Sequence, residues 1–530
     1  MATHLTNRRR SIRAGFLVLL VPAMALACTD RFDDLNSPSD QIGADRIDAS
    51  LIGQMFAYAQ FHGMRGQPGG GGFQIGQNLF SDLYAQYFAT TTENFESDQY
   101  VNVGLWVNAA WNYFYSNAPP QLHFVENFTA ENDLALENAL TKVWRVEIFH
   151  RMTDNWGPII YSEFGSGETS VAYDDQESIY RDFFVTLDEA VSVLEQNAGG
   201  TAFGAGVDDQ IYAGNADQWR TFANSLRLRL AMRVRYADEA LARQEAEKAV
   251  AAGVMTANAD NAEVLTTADS RNPLETITAW GEFRMSAAME SVLEGYDDPR
   301  LGEYFDEAAD GSGFQGLRNG QTRINRNSAT LNPAFSDVDL KWRPLGLGGD
   351  NPPMRVMAAA EVYFLRAEGA LLGWNMGGSA QELYEEGIRT SLNERTDATA
   401  AEIEAYISNT NLPAALDDAW DSPPMSDIPV AFEVGASTER QLEQIITQKW
   451  LGLYPDGIEA WAERRRTGYP RGYPVLESLN PDVPADAIMR RLRFADGERS
   501  TNSVATEAAE ALLDGPDDLN SVRVWWDAKP

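Results

Sequence analysis

Met357-Ala358-Ala359-Ala360-Glu361-Val362-Tyr363-Phe364-Leu365-Arg366-Ala367-Glu368-Gly369-Ala370-Leu371 is the stretch from which the fold is read. Met357, Ala360, Phe364, Ala367 and Leu371 step by three and four, the spacing of one face of an α-helix. Asn375-Met376-Gly377-Gly378 then turns the chain. Ala380, Leu383, Tyr384, Gly387, Ile388, Ser391 and Leu392 take up the same stepping. Two helices joined by a tight turn make a helical hairpin. The chain around it is therefore read as mainly α.

The hairpin resembles a tetratricopeptide repeat. Phe364, Ala367 and Leu371 stand where that repeat wants a bulky, a medium and a bulky residue, and Ala380, Tyr384 and Gly387 have the small-large-small spacing of its second helix. Glu368 and Leu392 depart from its glycine and proline.

Working outward, helical periodicity is found over Ala139–Arg151, Ile179–Gln196, Asp217–Arg235, Ala240–Ala252 and Glu439–Leu453, the last running on toward Arg466. Leu51–Phe61 and Asn78–Ala89 also read as helices, separated by a loop of low stiffness at Gly66-Gln67-Pro68-Gly69-Gly70-Gly71-Gly72. Residues 256–353 differ, being rich in Asn, Gly, Asp and Pro, with helices expected near Phe283–Leu293 and around Glu303. A loop-rich insertion on a regular scaffold is a common place for a binding site. The tail Ala495–Asp518 is polar and reads as loose, and the tryptophans of Val522-Arg523-Val524-Trp525-Trp526-Asp527 are expected to pin the C-terminus to the body.

At the other end, Arg8-Arg9-Arg10-Ser11-Ile12-Arg13 runs into a short apolar stretch interrupted by Pro22 and closing on Ala25-Leu26-Ala27-Cys28. A basic start, a short apolar run and small residues make a signal peptide, here residues 1–27. Cys28 is the single cysteine, so it has no partner for an internal disulfide. Its setting resembles a bacterial lipobox, with Ala25 in place of the preferred leucine, and implies lipidation at Cys28. Several acyl chains at about 0.8 kcal/mol per buried methylene hold a protein firmly on a membrane. Residues 28–50 are polar and acidic and read as a lipidated tether.

The formal charge is −36 over 530 residues, and loss of four arginines with the leader takes it to −40. Such a field disfavours nucleic acid as a partner. The histidines are His4, His62, His123 and His150; no His-Glu-x-x-His occurs, and one cysteine provides no thiolate set, so no metal or other cofactor is expected. Gly-x-Ser-x-Gly is absent. Paired carboxylates such as Asp208-Asp209 are abundant, as on any acidic surface, so counting does not exclude a glycosidase pair.

Sugar binding uses flat aromatic faces beside a few placed polar groups. The aromatics of irregular segments are the candidates: Trp106 and Trp280 first, near Gly104 and Gly281, then Tyr100, Phe283, Phe73 and Trp342. Trp219, Trp450 and Trp461 sit in periodic helices and are assigned to the core.

Five stretches, in order, resemble the SusD/RagB family of nutrient-binding outer-membrane lipoproteins, in the branch ending in Trp-Trp-Asp. They are the lipobox at Cys28; Trp156-Gly157-Pro158-Ile159-Ile160-Tyr161; Asp297-Asp298-Pro299-Arg300-Leu301; Ala360 through Glu368; and Gln448-Lys449-Trp450-Leu451 through Arg464-Arg465-Arg466. The resemblance implies a mainly α fold with tetratricopeptide-like hairpins and an irregular ligand-binding half. On it, residues 51–530 form a single domain, with helical scaffold over about 134–255 and 357–470 and the irregular insertion over about 256–353. It implies a surface-exposed lipoprotein, lipid-anchored in the outer membrane, that binds an oligosaccharide or peptide. It also implies that the protein is the lid of a TonB-dependent β-barrel transporter and does no chemistry on its ligand. A lipid-anchored glycoside hydrolase and a helical-repeat envelope scaffold are the rival readings.

Overall fold

Helical periodicity becomes helix along most of the chain. The computed structural model describes residues 51–204, 208–342, 351–515 and 517–530; the leader, Cys28 and the tether lie outside the described residues. The first half runs α1 (Ile52–Gly63), a π-helical segment (Gln74–Asp82), β1 (Phe88–Thr90), α2 (Gly104–Ser116), α3 (Ala118–Glu131), α4 (Ala135–Trp156), α5 (Gln176–Gln196), α6 (Ala216–Arg233) and α7 (Glu239–Ala252). The irregular stretch holds β2 (Ala262–Val264), α8 (Pro273–Thr278), β3 (Phe283–Met285), α9 (Ala287–Gly295), α10 (Leu301–Tyr304), α11 (Ser328–Ala334) and β4 (Met354–Met357). The last part is helical again: α12 (Ala359–Leu371), α13 (Ala380–Arg395), α14 (Ala400–Ile407), α15 (Thr438–Leu453), α16 (Gly457–Thr467), α17 (Asp496–Thr501) and α18 (Ser503–Glu510). No helix among the described residues is long and apolar enough to cross a membrane.

Consecutive helices pack side by side from α2 to α7, and α12 lies against α6, α13 and α15. In the α12–α13 hairpin Phe364, Ala367 and Tyr384 are buried. Ser379 starts α13 with a capping box: its hydroxyl accepts from Glu382 N and the Glu382 carboxylate accepts from Ser379 N. Gly387 permits the close approach, since a Cβ there would lie 2.7 Å from Phe364 Cε1. Gly387→Val is expected to destabilise the protein by about 1–3 kcal/mol, because overpacking outweighs the roughly 0.5–1 kcal/mol regained by removing a helical glycine. A urea denaturation curve that does not shift would refute it.

Four readings from local pattern are corrected by pairing at long range. Asn78–Ala89 is not one helix: the π-helical segment ends at Asp82 and Phe88–Thr90 pairs antiparallel with Phe283–Met285, Phe88 opposite Met285. Phe283 is therefore in a strand, and the helix follows it from Ala287; cross-strand packing overrides a weak local preference. Met357 closes β4, which pairs with β2 through a register shift at Ala262/Glu263, so α12 starts two residues later than its periodicity. The tail is not loose. It forms α17 and α18, with Ala505 and Ala509 buried, Tyr173 Oη donating to Glu498 and Arg499 paired to Asp518 at 2.5 Å. As expected, Trp526 is fully buried; its Nε1 donates to Asp154 at 2.7 Å.

The centre of the helical body is charged. From Phe222 onward the helix α6 is buried on every side, and Arg227, Arg229 and Arg233 go in with its apolar residues. Arg229 makes a two-pronged bond to Glu361, 2.8 and 2.6 Å. Arg233, one turn on, donates to Glu459 at 2.5 Å. Lys449 stands 3.7 Å from Glu361, 3.6 Å from Glu459 and 3.5 Å from Glu463. Arg466 forks onto Glu368, 2.7 and 2.6 Å, and Arg151 onto Asp456, 2.8 and 2.9 Å. These pairs tie α4, α6, α12, α15 and α16 together. Glu147 lies among them, and burial pushes its carboxyl up to about 8 in spite of Arg229 and Arg151.

Candidate functional site: an aromatic cleft on the first helix

Tyr58, Phe61 and His62 are spaced three and four apart, so they share one face of α1. That face forms one wall of an open cleft of about 720 Å³; the loop Gly66–Pro68 and the segment Leu265–Arg271 form others. The Tyr58 and His62 rings lie 4.0 Å apart, and Phe61 meets His62 edge-on at 5.3 Å. Tyr58 is 41 % exposed. Its hydroxyl donates to Asn117 Oδ1 at 2.6 Å. The Nδ1 of His62 shares a 2.6 Å hydrogen bond with the Tyr113 hydroxyl, which accepts from Gln67 N at 3.3 Å. The rings are thus held from behind by α2 and the start of α3, and face the cleft pre-set.

The glycine loop is fastened, contrary to the low stiffness read from its composition. Arg65 donates to the carbonyls of Gly71 and Ala110, both at 3.3 Å. Gly71 has φ +93°, and a Cβ on it would lie 2.2 Å from Ala109 O, so only glycine fits. Across the cleft, Thr267 Oγ1 accepts from Asp269 N and Ser270 N, closing a tight turn. Arg271 is spread over Ala268 O and the Glu275 carboxylate. The lining thus combines apolar rings with neutral hydroxyl and amide groups, one arginine and one aspartate, a surface suited to a neutral polar ligand.

Burial pushes His62 down to about 4. An unfolded imidazole titrates near 6.5. Between those values the folded chain binds fewer protons than the unfolded one. Stability from this residue is therefore full above about pH 6.5 and is lost as pH falls toward 4. His62→Gln is expected to reduce the fall in urea midpoint between about pH 7 and about pH 5; an equal fall in both proteins would exclude this role.

The six aromatics expected from sequence are not gathered in one place. Trp280 is 44 % exposed and flanks the glycine loop, its Cη2 3.8 Å from where a Gly69 Cβ would be. Trp106 is not in a loop: it occupies the first turn of α2, half-buried, edge-on to Phe95 at 5.5 Å. The other four are buried. Tyr100 donates to Ala487 O, Phe283 packs on Phe88 at 4.7 Å, Phe73 turns inward beside Met64 and Met354, and Trp342 sits edge-on to Tyr454 at 6.4 Å. Sequence reading missed Tyr58, Phe61 and His62. Their three-four spacing was visible, but it equally describes a buried stripe. Among the described residues no group of His, Cys, Asp and Glu is placed to hold a metal ion.

No curated protein matches the chain. Solved structures do. A chitin-binding SusD homologue from Flavobacterium johnsoniae is 37 % identical, with TM-score 0.83, over 90 % of this chain and 99 % of that one. A SusD homologue from Bacteroides thetaiotaomicron is 32 % identical, with TM-score 0.82, over 90 % and 99 %. One from Bacteroides ovatus is 30 % identical, with TM-score 0.81, over 91 % and 100 %. The family profile for SusD-like proteins, described as Susd and RagB outer membrane lipoprotein, matches residues 34–527. The chain belongs to the SusD-like family of outer-membrane lipoproteins.

Proposed function

We propose that this protein captures a neutral oligosaccharide in the cleft of α1 and passes it on unmodified to a TonB-dependent β-barrel transporter, over which it acts as a lid. The ring pair Tyr58 and His62 beside a neutral hydrogen-bonding wall carries the reading. Flat rings cover the C–H face of a pyranose, and the amides and hydroxyls take its oxygens. Trp280, beside the same loop, extends the aromatic surface. The chitin-binding relative from Flavobacterium johnsoniae supports an N-acetylated sugar as the first ligand to try. One wall of the cleft comes from the irregular segment 256–353, in keeping with a ligand-binding half. Lipidation at Cys28 and an outward-facing position complete the proposal.

The test has two arms. The detergent-solubilised full chain is titrated with chito-oligosaccharides, other neutral glycans and peptides. It is also used as bait for a large β-barrel protein, with Cys28→Ala as the unanchored control. Binding of a neutral glycan without release of reducing ends is expected. Binding of peptides alone, or hydrolysis of the bound glycan, would overturn the reading.

A further inference from the structure

A second concave surface lies at the other end of the sequence. In Val522-Arg523-Val524-Trp525-Trp526 burial largely alternates: Val522, Val524 and Trp526 turn in, while Arg523 and Trp525 stay accessible. Val524–Asp527 is a turn closed by Asp527 N donating to Val524 O at 2.9 Å, which sets the Trp525 ring at its tip. Arg523 and Trp525 together line a groove of about 710 Å³ with Glu177 at the start of α5, exposed Leu512 and half-buried Lys529. It shares no lining residue with the α1 cleft.

Both polar and aromatic elements of this groove are held from behind. The Trp525 ring rests on fully buried Tyr180, centroids 6.0 Å apart. The Arg523 guanidinium donates to Lys529 O at 2.7 Å and Asp527 O at 3.3 Å, which leaves further N–H groups for a ligand. Lys529 is itself tied to Thr467 O at 2.7 Å. A half-buried indole already braced by a neighbouring ring loses little freedom on stacking. Charges of both signs surround it, so neither a polyanion nor a polycation is favoured. One flat ring, one apolar neighbour and fixed donors and acceptors match a neutral pyranose again.

We propose that the Trp525 groove is a second oligosaccharide site, which with the α1 cleft holds long glycans at two points. The proposal rests on the oligosaccharide reading of the cleft. Two weak sites on one body bind a polymer far more tightly than either alone, because the second contact is made at high effective concentration. Short fragments gain nothing from it.

The experiment uses the full chain in detergent with short chito-oligosaccharides and with colloidal chitin as probes. The variants are Trp525→Ala, Arg523→Ala, and Tyr58→Ala combined with Trp280→Ala; thermal melts check folding, and Arg523→Ala leaves the core untouched. Wild type is expected to show two sites for short fragments. The Trp525 and Arg523 variants are each expected to lose one site and to bind colloidal chitin about tenfold or more weakly. The Tyr58/Trp280 variant is expected to lose the other site. If the groove variants bind both probes as wild type does, or lose only capture of the barrel protein, this proposal is overturned while the cleft reading stands. If wild type binds no glycan, both fall.

Discussion

Glu459→Ala is expected to lower the free energy of unfolding by about 3–5 kcal/mol, the usual cost of leaving a buried charge without its partner. Arg233 donates to Glu459 and Lys449 stands beside it, both fully enclosed. Water does not reach either cation to replace the lost carboxylate. Glu459→Gln keeps the volume and is expected to fall between alanine and wild type. Glu147→Gln is the contrasting case. Its carboxyl is pushed up to about 8 by burial, so at neutral pH it already carries a proton, and the amide is expected to be nearly neutral. Guanidinium or urea denaturation of the three variants checks the order. Equal losses for Glu147→Gln and Glu459→Gln would show that the cluster does not distinguish its carboxylates. Acid acts on the same cluster. The Glu463 carboxyl is held down at about 2 by Arg466 and Lys449, which outweigh its burial. An unfolded glutamate titrates near 4.3. Its contribution is therefore present above that value and lost as pH falls from about 4.3 to about 2.

Removing the open rings in and beside the α1 cleft, Tyr58 on its wall and Trp280 by the glycine loop, is expected to be the largest change in binding. Tyr58→Ala and Trp280→Ala should each weaken a neutral oligosaccharide about 30-fold, or about 2 kcal/mol, the scale of an aromatic anchor at a recognition site. Tyr58→Phe keeps the ring and loses only the bond to Asn117, so most affinity should remain. Trp106→Ala serves as the control. Its ring is wedged against Phe80 and Phe95, and its loss should lower stability more than affinity. Isothermal titration beside a melting curve separates the two effects. Wild-type affinity in both Tyr58→Ala and Trp280→Ala would remove the cleft from consideration.

Much of the helical architecture was legible in residue order alone. The three-four stepping around Phe364 and Tyr384 and the apolar row of α6 depend on neighbours a turn away. Such patterns read correctly because their cause is local. The charge of α6 was legible as composition but not as placement. Arg229 and Arg233 look like part of a solvated face until Glu361 and Glu459 arrive from more than a hundred residues away to enclose them. The strands β1 and β3 escaped notice for the same reason: each is three residues long and exists through its partner.

The sequence by itself determined the helical class, the hairpins, the family and the stock of aromatic side chains. Only the tertiary structure decided which rings face water. Trp280 and Tyr58 are open, whereas Tyr100, Phe283, Phe73 and Trp342 are closed over by segments distant in the chain. Periodicity records which side of a helix or strand a residue occupies, but exposure is a property of what packs against that side. That packing is set by contacts whose sequence separation leaves no local trace.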